Sequence, residues 1–183
     1  MTEEIRTRSQ SNRSASAQAE LRLPGTRAFF DLFNARTEPA DAMMVSAVGL
    51  LGVWVEHFEN GRPGRPMSRR LAYLMDLHIW AVDRHVEDAL AAACERGYLR
   101  DPDADEVPYS YGEMVSLLTA DFVQCRREER QPGGITEDRV LHHVRHWDAF
   151  NAVVQAVATG SVRLRTPRTI AERIHPKSRP HHP

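Results

Sequence analysis

The chain has 183 residues, with 24 basic and 25 acidic side chains and a formal net charge of -1. That length suits one domain with a proper core, and the charge balance excludes a surface that is basic throughout. Two cysteines, Cys94 and Cys125, are too few for a disulfide framework or a four-thiolate zinc site.

Residues 1–22 read as a disordered basic and polar arm, without the apolar run that opens a secretory signal. Residues 23–160 read as a single helical domain, and residues 161–183 as a basic tail containing Pro and His. The body between the two basic ends is acidic. The expected location is the cytoplasm.

A first short helix is predicted over 26–35, with Phe29, Phe30, Leu32 and Phe33 crowded onto one side and Pro24 and Gly25 marking the turn before it. Glu38, Pro39 and Asp41 suit the first turn of the next helix. There Met43, Ala47, Leu50, Leu51, Trp54 and Phe58 recur at helical spacing, and Val45, Val48 and Val55 widen the apolar surface. This predicts a central helix covered on most sides, with Gly49 and Gly52 marking a close crossing. Its apolar run, Ala42 to Val55, spans about 21 Å, short of the ~30 Å of a bilayer core. No membrane is expected.

Residues 60–66, NGRPGRP, break the chain into a loop. Ser68 is placed to cap the following helix, whose stripe runs through Leu71, Leu74, Met75, His78, Ile79 and Val82 and on through Val86, Leu90 and Ala93. It reads either as one helix of nearly thirty residues or as two, the second capped by Asp83. Gly97 occupies the position that ends it. Residues 98–111 then offer two short extended pieces around the acidic turn DPDAD, the outline of a small winged-helix-like β-ribbon. The acids of that turn would repel phosphate.

Val115, Leu118, Phe122 and Cys125 define a helix over roughly 112–130, closed by Pro132, Gly133 and Gly134. Thr136 is predicted to cap the last long helix, with Glu137 and Asp138 in its first turn and a stripe of Val140, Val144, Trp147, Phe150, Val154, Val157 and Ala158. Gly160 stops it. The fold class is therefore mainly α, a compact bundle of five or six helices with that ribbon as its only β-structure.

Chemistry-bearing residues are few. Asp138, His142 and His146 fall at i, i+4 and i+8 of the last helix, where His142 and His146 can chelate zinc or a similar borderline ion. The HExxH arrangement is missing, and His143 turns toward the apolar side. His78 and His85 lie about 10.5 Å apart along one helix, too far to share an ion. No phosphate-cradling glycine loop and no nucleophile elbow occurs. No cofactor is expected, no catalytic residue is assigned, and the sequence points away from an enzyme.

The leading reading is a non-enzymatic helical interaction or assembly subunit with a regulatory or structural role. It would act through a protein partner or self-association, with Phe29, Phe33, Tyr73 and Trp80 as contact residues. The second is a winged helix-turn-helix DNA-binding regulator, using Arg62, Arg65, Arg69, Arg70 and Arg84 with the basic loop and tail. The third is a small helical metal-binding protein or enzyme built on the histidine cluster.

Overall fold

The structure, a computed structural model, describes residues 21–60, 65–98, 101–169 and 172. Most of residues 1–22, Arg62 of the loop and most of the C-terminal tail lie outside them. Five helices carry the fold: α1 (Thr26–Phe33), α2 (Ala42–Asn60), α3 (Arg69–Glu95), α4 (Tyr111–Glu129) and α5 (Glu137–Ala158). Two short strands, β1 (Asp105–Glu106) and β2 (Val162–Arg163), complete it. The mainly α bundle expected from periodicity is what forms.

The core is assembled from one stripe per helix. Phe29 and Leu32 of α1 meet Met43, Ala47 and Leu50 of α2, and Ile79, Val82 and Val86 of α3. Tyr111, Val115 and Leu118 of α4 and Phe150 and Val154 of α5 close it. Each fully buried large apolar side chain contributes about 1.5–3 kcal/mol, which is the main term holding the helices together. Aromatic edges add specificity, since Phe29 packs T-shaped on Phe150 and Phe30 on Trp147.

α3 runs unbroken for 27 residues, started by Ser68, whose hydroxyl accepts the Leu71 amide. Asp83 does not divide it. Its carboxylate accepts instead from the Ser110 hydroxyl and the Gly112 amide, at the N-terminus of α4. Ser110 and Glu113 add a reciprocal capping box there. Asp83 thus caps a different helix from its own, which a local reading of the chain cannot reveal.

α2 begins at Ala42, one residue after Asp41, whose carboxylate takes the Met44 amide. It packs against α1, α3 and α4, yet Val45 and Val48 stay exposed. It is therefore covered on fewer sides than its sequence predicts. Among the described residues it is the one helix long and apolar enough to cross a membrane, by length and composition alone.

Three helix ends share one backbone solution. After α3 and α5, Gly97 and Gly160 adopt positive φ, and paired hydrogen bonds close the last turn, Tyr98 N–H to the Ala93 carbonyl and Ser161 N–H to the Ala156 carbonyl among them. α1 ends the same way, with Arg36 N–H reaching the Asp31 carbonyl. The left-handed position here is held by Ala35, at φ 54°.

The 98–111 segment supplies one strand of the ribbon, β1, which pairs in parallel with β2 beyond that segment, Asp105 opposite Val162 and Glu106 opposite Arg163. A neighbouring strand would have made an antiparallel hairpin wing. The chain after Gly160 supplies the partner, and it stays on the body, where Leu164 packs against the core and Arg165 pairs with Glu113.

Candidate metal centre

α4 and α5 are joined by a short turn around Gly133 and Gly134, so they lie antiparallel and face each other. Their facing surfaces are polar near the turn. On α4 stand Asp121, Gln124, Cys125 and Glu128; on α5 stand Arg139, His142, His143 and His146. Arg139 makes a two-pronged contact with Glu128, Nη2 to Oε1 at 2.7 Å and Nε to Oε2 at 3.2 Å. That pair, working against partial desolvation and aided by Gln124 and His143, holds the Glu128 carboxyl down to about 2.

His143 is 1 % exposed. Its Nδ1 is 2.7 Å from Asp121 Oδ1 and its Nε2 is 3.5 Å from Glu128 Oε2, while its ring stacks on Trp147. It packs inward as its sequence position implies, but as a polar strut between two carboxylates rather than as an apolar filler. By drawing Arg139 and His143 inward, α4 turns α5 so that Val140 and Val144 remain exposed. Those two valines were expected on the buried stripe.

The His143 strut fixes Asp121, and Asp121 organises the site. One ligand atom each from Asp121, His142 and His146 lies within 4.8 Å of the others. Asp121 Oδ1 stands 3.4 Å from His146 Nδ1, and the His142 and His146 rings are 4.2 Å apart between centroids. Among the described residues, Asp121 Oδ2 is buried without a hydrogen-bond partner. A buried, under-paired carboxylate is costly, and a cation held at Oδ1 beside the histidines offsets its charge. Both histidines are solvent-exposed, so the cluster opens outward.

The structure thus brings His142 and His146 together with Asp121 of the neighbouring helix. Asp138 lies outside the cluster, exposed in the first turn of α5, where the helix dipole favours an acid. Cys125 sits one turn beyond Asp121, with its thiol 4.0 Å from Glu129. Burial first, then the charges of Glu129, Asp121 and Glu128, push that thiol up to about 11.

No protein-family model, curated protein or solved structure matches this chain.

The remaining sequence candidates are spread over the fold. Phe29 is a core residue at 0 % exposure, so it offers no surface to a partner. Phe33 packs against Phe29 and Phe122, and Trp80 is half-buried. Tyr73 is exposed. Arg65 and Arg69 are exposed, Arg70 pairs with Glu56, and Arg84 faces Glu87 and Asp88. Arg70 and Arg84 stand about 21 Å apart along α3, and Arg62 lies outside the described residues.

Proposed function

We propose that this protein binds a divalent transition-metal ion of the zinc class through Asp121, His142 and His146, clipping α5 to α4. The observation that carries the reading is the three-donor cluster, with one ligand atom each from Asp121, His142 and His146 within 4.8 Å of the others. Two imidazoles and a carboxylate are the donor set of borderline ions such as zinc, and of sites with one open coordination position. Ligand atoms about 2.0–2.1 Å from a tetrahedral ion are about 3.4 Å from each other. The Asp121–His146 edge already has that length, at 3.4 Å. His142 closes the remainder by a side-chain rotation, for which an exposed residue has room.

The supporting layer is already in place. A metal-bound carboxylate needs a second hydrogen bond to fix its orientation. His143 supplies it, braced in turn by Glu128 and Arg139. With three protein donors and the outer side open to solvent, water completes the coordination shell.

The test is titration of the full chain with zinc chloride, followed by calorimetry and thermal unfolding. One ion per chain is expected, and at a hundred times Kd it adds about 2.7 kcal/mol of stability. Asp121→Asn, His142→Ala and His146→Ala should each weaken binding at least tenfold. Absence of stoichiometric binding, or affinity indifferent to all three substitutions, overturns the proposal.

A further inference from the structure

On the far side of the α4 stripe, between α2 and α4, a half-open cavity of about 420 Å³ is walled at one end by the turn after α1. Its size falls within the ~300–1,000 Å³ of small-molecule sites. Leu51, Val55 and Phe58 of α2 line one wall, and Phe122 and Val123 of α4 the other, with Phe33 at the end. These six are the large apolar side chains of the lining, and Trp54 stacks on Phe58.

The rim has the opposite character. Arg126, Arg127 and Arg130 stand along it at the C-terminal end of α4, and among the described residues Glu59 is the one acid lining the cavity. Arg126 is already engaged by Glu129 at 3.1 Å. Arg127 and Arg130 are exposed, and among the described residues neither has a carboxylate partner. Among the described residues, Glu59 against those two arginines leaves the rim one net positive charge. Guanidinium groups present paired donors that match a carboxylate.

We infer that this cavity binds a monoanionic amphiphile, an alkyl or aryl carboxylate, with its apolar body against the α2–α4 floor and its carboxylate held by Arg127 and Arg130. A charge of minus one fits the rim better than a phosphate dianion. The site is independent of the metal cluster, because its residues occupy another face of α4.

The test uses the full chain and dodecanoate, kept below its micelle concentration, in isothermal titration calorimetry. Dodecanol and dodecyl phosphate serve as comparison ligands. Saturable 1:1 binding of dodecanoate is expected, tighter than either. The Arg127→Ala/Arg130→Ala double variant should weaken dodecanoate at least tenfold while changing dodecanol by less than threefold. Val55→Trp, which fills the floor, should abolish both, with circular dichroism confirming the fold. Unsaturable binding, equal affinity for the alcohol, preference for the phosphate, or indifference to the arginine pair overturns the inference.

Discussion

Replacing Asp83 tests the junction between α3 and the N-terminus of α4. The side chain is 1 % exposed, with Oδ2 2.7 Å from the Ser110 hydroxyl and Oδ1 2.6 Å from the Gly112 amide. Asp83→Ala deletes both acceptors and strands a hydroxyl and an amide away from water. Hydrogen bonds to a charged group contribute about 1.5–3 kcal/mol each. The alanine variant no longer buries a carboxylate, which offsets part of the loss, so about 2–5 kcal/mol is expected. Asp83→Asn keeps an acceptor for Gly112 and turns the Ser110 contact around, with the amide donating to the hydroxyl oxygen; about 1–2 kcal/mol is expected. Urea unfolding followed by circular dichroism measures both, with the slope unchanged if only the folded state is altered. An alanine cost under about 1 kcal/mol, or an asparagine variant as unstable as alanine, would refute the reasoning. Gly112→Ala probes the same junction by crowding. Its Cβ would stand 2.4 Å from the Ile79 carbonyl oxygen and 2.9 Å from Asp83 Oδ1, so it should destabilise despite alanine's better helix propensity.

Ala35→Gly should stabilise by about 0.5–1 kcal/mol, because a left-handed residue with a Cβ is strained and glycine is not; unfolding curves that show no gain would refute it. Acid should act through Glu128. Its folded value of about 2 lies below its ordinary 4.5, so its contribution is full above about pH 4.5 and is lost as pH falls toward 2. Arg139→Met should flatten the fall in melting temperature across that window, and an unaltered profile would assign the acid sensitivity elsewhere.

Much of the helical frame is legible in the chain. The stripes of α3 and α4, the Ser68 cap and the glycines after α3 and α5 all follow from periodicity and terminus chemistry. Even Gly49 is readable as a close approach, since the His78 ring lies where its Cβ would be and burial lowers that histidine's pKa. Gly52 is not, because among the described residues nothing lies within 4 Å of the place its Cβ would take. What local reading cannot supply is the partner of a polar residue. Asp83 looks like a cap for its own helix and serves another. Asp138 looks like a third donor because it shares a helix with His142 and His146, whereas the residue the structure brings beside those two histidines is Asp121 of the neighbouring helix. A signal for Asp121 did exist. Equal steps outward from the Gly133–Gly134 turn pair Glu128 with Arg139 and Asp121 with His146. Antiparallel register, rather than spacing along one helix, carries that information.

The parallel pairing of β1 with β2 also sets an order of events during synthesis. β1 leaves the ribosome ahead of α4 and α5, and its partner emerges only after both. Until then the Asp101 amide lacks the Gly160 carbonyl, and the Val107 amide lacks the carbonyl of Arg163. Pairings between distant parts of a chain form late. The acidic 101–107 segment therefore waits as an open loop on a nascent chain whose α1, α2 and α3 have already been made, and β2 fastens it last.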